Sequence, residues 1–391
     1  MAQKLNLLRY FQFFLLIVLL FLMAVSYHPT VIQMSRAAGM EQGTILSRYV
    51  MLIFVALFAA CFTLRFFKSS RFLHTYSILL IIIGIIAFVI YAFLSRRAMI
   101  TEARSIFISL AAAIIGWSLA PSDKELYWLV FVFGGISLFS GIMQVMVNIG
   151  GFRIANYYLT DSKNSVGAML GSTAIAFFFT YLLPPNKMVK FLSFAGFILA
   201  FFVIVTIRAR AAIVAVFAIA AYAYYLKTRS RNVIMVVLGT LVAVGILFLF
   251  LPASVTQYIT DSMTAGSQGE DITSGRLGTY QEALAFLSNH LLFGNVSGDH
   301  QMAWIHNYPL LQMYRYGIIL SFPILVMYVF LLFYCFKKSL KLGVATYVPG
   351  FMLMLVPGII SLVEPTFPFG PGTVTIFNFL FLGASLRKAD L

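Results

Sequence analysis

Arg208 and Arg210, Arg276, and the pair His306-Asn307 are the residues whose types and positions point to chemistry. Arg208 and Arg210 stand between two apolar runs with almost no loop to place them in water. A charge so placed needs an anionic partner or is costly to bury. Arginine's planar fork suits bidentate contact with phosphate or carboxylate, and it stays charged when partly buried. Arg276 falls in the first turn of a candidate helix, where charge–dipole compensation favours an acid. A cation there points to a role other than helix stability. His306 offers an imidazole, a group able to take up a proton near neutral pH. Cations to stabilise an anionic leaving group, with a base for an attacking hydroxyl, are what group transfer from a diphosphate requires. The blander readings are an Arg that snorkels to headgroups or caps a helix, and an interfacial His bonded to water or a carbonyl. For Arg36, Arg48 and Arg153 the blander reading is the better one.

The elements that must position these residues are apolar. Hydrophobic residues make up 61% of the 391 and charged residues only 10%, with a mean hydropathy of +0.96. A soluble chain of this length could not hide that much apolar surface. The 40 Phe and 20 Tyr fit a chain packed against lipid. A net charge of +15 does not make this a nucleic-acid binder, because the basic residues sit between apolar runs. Cys61 and Cys335 both fall inside apolar segments, so no disulfide is expected. The first apolar run reads as a retained anchor, with no small-residue cleavage site behind it.

A helical span takes roughly 20 apolar residues. About twelve such runs occur, at 8–26, 46–67, 73–94, 103–120, 126–148, 165–183, 188–206, 209–226, 232–252, 315–336, 344–363 and 371–387. The chain is therefore expected to be an all-α polytopic membrane protein. It divides into nine spans over 1–252, one large outer loop over 253–314, and three spans over 315–391. The tight linker at 207–210 marks the seventh and eighth runs as a candidate re-entrant pair. An even span count with both ends inside gives 16 basic residues within and 11 outside, the expected sign of bias. The kind of residue separates more cleanly. Ten of the inner 16 are Lys, whereas the outer basic residues are all Arg except Lys163.

Within the loop, the Ser/Thr/Gly/Asp-rich stretch up to Thr273 reads as flexible. Ser274 reads as a helix cap. Leu277, Tyr280, Leu284 and Leu287 form one apolar stripe. They predict an amphipathic helix over about 275–289, lying on the membrane or the bundle. His290 and His300 are further loop histidines. A metal site from His290, Asp299, His300 and His306 has no recognised ligand spacing, and no metal is expected. No phosphate-binding glycine loop occurs, so a nucleotide-sugar donor is unsupported and no cofactor is implied.

Three motifs carry a resemblance. Thr206-Ile207-Arg208-Ala209-Arg210 resembles the arginine motif ending a transmembrane helix in the bacterial O-antigen ligase and O-antigen polymerase superfamily. Ser274-Gly275-Arg276-Leu277, followed by Asn289-His290-Leu291-Leu292-Phe293-Gly294, is similar to that family's loop signature. His306-Asn307, then Leu310, Gln312 and Gly317, resembles its histidine motif. The motifs cover roughly residues 204–318. Leu291 replaces the usual Pro after the loop His, Asn295-Val296-Ser297-Gly298-Asp299 replaces a glycine-rich tail, and Arg315 stands at a commonly acidic position.

The resemblance implies an inverting glycosyltransferase of the bacterial inner membrane with both termini cytoplasmic. Its donor is a glycan on undecaprenyl diphosphate. The acceptor is lipid A–core for a ligase or a second carrier-linked repeat for a polymerase, ligase being slightly favoured. His306 is then the base, and Arg276 and Arg210 stabilise the leaving diphosphate. Arg208, Asn307, Arg315 and His290 contact diphosphate or acceptor. Membrane lipids are expected partners and nucleic acid is not. The alternative from another class is a transporter or flippase of lipid-linked oligosaccharide. Such proteins often show two similar halves, and no second half matches the large loop here.

Overall fold

An apolar run away from water satisfies its backbone groups only by bonding within itself, which favours helices. In the computed structural model every regular element among the described residues is a helix. Those residues are 2–26, 28–38, 45–61, 70–147, 163–207, 209–228, 242, 246, 256–257, 276–300, 305–342, 349–365, 369 and 373–389. The helices are α1 (Ala2–Val25), α2 (Pro29–Ala37), α3 (Ile45–Cys61), α4 (Arg71–Leu94), α5 (Ala98–Leu119), α6 (Asp123–Val147) and α7 (Lys163–Leu182). They continue with α8 (Lys187–Thr206), α9 (Arg210–Thr228), α10 (Arg276–His290), α11 (Tyr308–Leu342), α12 (Pro349–Ile360) and α13 (Thr373–Ala389). Among the described residues, seven helices are long and apolar enough to cross a membrane: α1, α4, α5, α6, α8, α9 and α11. Three shorter apolar helices lie within α3, α7 and α12. The predicted span 232–252 and the stretch read as flexible fall almost wholly outside the described residues, as do Ser274 and Arg208. The short helix α2 was not foreseen.

Side-chain caps set several starts. The Ser70 hydroxyl accepts from Leu73 N–H at the head of α4, and the Asn186 side chain from Val189 N–H at the head of α8. At the centre, α5 and α13 touch backbone to backbone. A Cβ on Gly116 would lie 1.9 Å from the Leu380 carbonyl oxygen, so only Gly permits that approach. The linker between α8 and α9 is a turn closed by Ala209 N–H donating to the Ile204 carbonyl at 3.2 Å. The helices it joins are both of spanning length.

Contacts sort the helix termini into two ends of one bundle. A Cβ on Gly167 would touch Ala209, while the Lys227 ammonium donates to the Leu182 carbonyl, so α7 and α9 run parallel. Pro349 shares a pocket with Leu183 and Tyr127, Lys388 pairs with Asp123, and Lys338 donates to the Ala389 carbonyl. These mark one end. At the other, Arg96 donates to the Ser297 carbonyl and Arg315 pairs with Glu102. Arg210, heading α9, lies at this second end.

The helix α11 is two helices rather than one. Gly317 has φ 65° and ψ 178°, a backbone region open essentially to Gly alone. The Tyr308 and Tyr328 rings are 5.9 Å apart, whereas twenty residues of straight helix would separate them by about 30 Å. The chain therefore reverses at Gly317. The 308–316 segment rises towards the arginine end and the remainder descends to Lys337, Lys338 and Lys341. The tip is clamped by Ile318 N–H donating to the Leu291 carbonyl and Asn295 N–H to the Tyr314 carbonyl, both at 2.8 Å.

Candidate functional site

The reversal carries the residues before Tyr308 back down into the bundle. His306 thus lies near the level of Tyr328, about 15 Å below the tip by helical rise. It therefore sits within the bundle, below the tip of the loop rather than at it. Tyr308 N–H donates to the Ser361 carbonyl at 2.9 Å, and the Asn307 side chain donates to the Leu362 carbonyl at 2.9 Å. The stretch before α11 is in this way laid along the chain that follows α12. Asn307 also caps α11, its side-chain oxygen accepting from Leu310 N–H at 2.9 Å.

That alignment brings Glu364 to His306. The carboxylate is almost enclosed, with 4% of its side chain exposed, and His306 Nδ1 is 3.3 Å from its Oε2. Its other oxygen, Oε1, accepts from Arg276 Nη2 at 3.1 Å. Arg276 Nη1 donates to the adjacent Val363 carbonyl at 3.0 Å. Among the described residues these two contacts engage two of the five guanidinium N–H donors, and the side chain keeps 28% exposure. A buried carboxylate is stable when paired and hydrogen-bonded, which explains how an acid sits at this depth. The geometry also sets the imidazole's orientation. With Nδ1–H given to Glu364, Nε2 is the acceptor, and 33% of the side chain is exposed.

The helix α10 rises from Arg276 to the tip and is held by its inner face. Ala283 and Leu287 are buried, and the Tyr280 hydroxyl donates to the His306 carbonyl. Leu277 and Leu284, each 56% exposed, lie on the outer face. The predicted stripe is thus divided: Tyr280, Ala283 and Leu287 face the bundle, while Leu277 and Leu284 face outward. Burial pushes the Tyr280 hydroxyl above the ordinary tyrosine range, with Arg276 opposing the shift and Glu364 adding to it. It remains a donor across the physiological range.

Of the residues singled out from sequence, Arg276, His306 and Asn307 are brought together. Arg210 is exposed at the first position of α9, at the same end of the bundle. Arg315 belongs to another cluster. It pairs with Glu102 at 3.2 Å, and the same carboxylate oxygen accepts from Gln312 at 3.3 Å. The sequence set Arg315 against a commonly acidic position; here the acid facing it comes from α5. His290 closes the far end of α10, stacked on Phe286 at 4.3 Å and bonded to its carbonyl, about 21 Å from Arg276 by helical rise. His300 bonds the Tyr314 hydroxyl at 2.9 Å in that same aromatic group.

Glu364 was missed. Only two acids follow residue 300, Glu364 and Asp390. Glu364 ends an apolar run and opens a Pro/Gly-rich segment, the one signal that could have drawn attention to it. No protein-family model and no curated protein matches the chain, so the functional reading rests on the motifs and on this geometry.

Proposed function

We propose that the chain is a membrane glycosyltransferase of the O-antigen ligase and polymerase type, moving a glycan from a polyprenyl diphosphate to an acceptor hydroxyl. The observation that carries this reading is one buried carboxylate, Glu364, gripping both Arg276 and His306. The acceptor oxygen attacks the anomeric carbon as the bond from that carbon to the diphosphate oxygen breaks. The hydroxyl proton passes to His306 Nε2, and Glu364 on Nδ1 compensates the imidazolium that forms. The bond pair leaves on the diphosphate, beside the remaining N–H donors of Arg276, with Arg210 as a second cation. Attack opposite the leaving group inverts the anomeric centre.

In this reading the chain crosses the bacterial inner membrane twelve times, with the arginine end and residues 253–314 on the periplasmic side. Both termini lie with the lysine end in the cytoplasm, as the positive-inside bias supports. The acceptor is lipid A–core, which makes the chain a ligase. The test is the surface lipopolysaccharide of a deletion strain complemented with wild type, Arg276→Ala or His306→Ala. Bare core with long glycan retained on the carrier lipid is the expected phenotype of the deletion and both variants. Core bearing a single repeat would identify a polymerase instead. An unchanged profile would reject this glycan, and full complementation by the Ala variants would reject the site.

A further inference from the structure

An open apolar groove of about 290 Å³ lies between the descending half of α11 and α12, lined by Leu332, Phe333, Phe336, Leu355, Ile359 and Leu362. Gly358 also lines it, and a Cβ there would come within 2.2 Å of Leu332. Phe333, Phe336 and Leu362 are 61%, 45% and 49% exposed, so the groove opens on the outer face of the bundle.

Its head is tied to the site. The Leu362 carbonyl accepts from Asn307, and the next carbonyl, Val363, accepts from Arg276. Val363, whose carbonyl accepts from the guanidinium at 3.0 Å, directly follows Leu362 at the end of the groove, a Cα–Cα step of about 3.8 Å. From there the lining runs back to Ile359 and along α12 to Leu355, about 6 Å of helical rise, towards the lysine end. A part-exposed guanidinium above an apolar trough complements one kind of molecule: an anionic headgroup carrying a long hydrocarbon chain. Branched and aromatic side chains along the trough suit a methyl-branched chain.

We propose that this groove holds the first isoprenoid units of the lipid-linked donor and so delivers its diphosphate to Arg276. The inference rests on the glycosyltransferase reading and adds the place where the carrier chain lies. Ile359→Trp and Leu355→Trp fill the groove from α12, away from Arg276, His306 and Glu364.

The test uses full-length protein in phospholipid nanodiscs and two probes, a polyprenyl diphosphate with a photoreactive group on its first isoprene units and soluble methyl diphosphate. Expected are photolabels on wild-type Phe333, Phe336 or Ile359 that excess phospholipid does not displace. Each Trp variant is expected to bind polyprenyl diphosphate about tenfold more weakly, the loss of roughly 1.4 kcal/mol, with methyl diphosphate binding unchanged. Labels elsewhere, or displacement by phospholipid, would overturn the proposal, the latter because the groove then holds bulk lipid. Equal loss of both probes in the Trp variants, with no label in wild type, would overturn it too. Polyprenyl diphosphate that labels the groove but is bound equally well by Arg276→Ala would uphold the groove and reject the glycosyltransferase reading.

Discussion

The two ends of the bundle carry charge in different ways. At one end the described basic residues are mostly lysines: Lys124, Lys187, Lys190, Lys227, Lys337, Lys338, Lys341 and Lys388, with Arg9, Arg71 and Arg387. Lys227 and Lys338 donate to carbonyls at helix ends, and Lys388 pairs with an Asp123 side chain that is 71% exposed. At the other end the described basic residues are arginines apart from Lys163 at the head of α7, among them Arg48, Arg96, Arg97, Arg104, Arg210, Arg276 and Arg315. Arg276 and Arg315 bind carboxylates that are 4% and 17% exposed. Lysine serves as a hydrated point charge that fixes topology, whereas arginine's fork organises buried acids and anions. One end carries mostly exposed charge, and the other turns part of its charge inward onto buried acids.

The broadest way to break this comparison is sidedness. Cys61 and Cys335 are buried, so the background for thiol labelling is low. Exposed Ser288 and Thr228 mark the arginine and lysine ends. In spheroplasts an impermeant maleimide is expected to label Ser288→Cys fully and Thr228→Cys only after lysis; the reverse pattern would invert the topology.

Activity should divide along the same line. Arg276→Ala is expected to lower transfer about 10²- to 10³-fold, the scale of losing one group that stabilises transition-state charge. Lys337→Ala or Lys341→Ala should change it less than about twofold. A comparable loss at both ends, measured as initial rates on matched protein amounts, would dissolve the distinction.

Glu364→Gln keeps the size of the side chain but removes the charge that Arg276 and His306 share. Removing one charge of a fully buried pair costs about 3–5 kcal/mol; with both partners part-exposed, about 1–3 kcal/mol is expected. A thermal melt in detergent checks this, and an unchanged melting temperature would deny the carboxylate its organising role.

Tyr280→Phe removes one hydrogen bond, and the expected loss is about 1 kcal/mol. The Tyr280 hydroxyl titrates above its ordinary value in the folded state because of burial. The folded protein therefore holds that proton to higher pH than the unfolded chain does. This contribution is fully present below about pH 10 and is lost as pH rises through the folded value. Wild type should lose part of its stability advantage over Tyr280→Phe on that alkaline limb, read from melting temperatures across pH 9 to 11.

Hydropathy was a good guide wherever a helix is one continuous apolar run. The runs 73–94, 188–206 and 209–226 correspond to Arg71–Leu94, Lys187–Thr206 and Arg210–Thr228. It failed at 308–316, where Gln312 and Arg315 bind Glu102 and the helix turns back at Gly317. Neither the polar contact nor the reversal has an apolar period to betray it. Within the site, Arg276 and His306 were legible because their residue types are unusual for their places. Glu364 was not, since its meaning comes from the pairing of Asn307 and Tyr308 with Leu362 and Ser361, which only the folded chain brings about.

The most direct measurement is the acceptor-dependent release of free polyprenyl diphosphate by purified protein in nanodiscs holding lipid-linked glycan. Release stoichiometric with glycan transfer, lost in Arg276→Ala and His306→Ala, is the predicted result. No release by wild-type protein with donor and acceptor present would contradict the claim that the arginine end transfers glycan, and would leave transport as the better account.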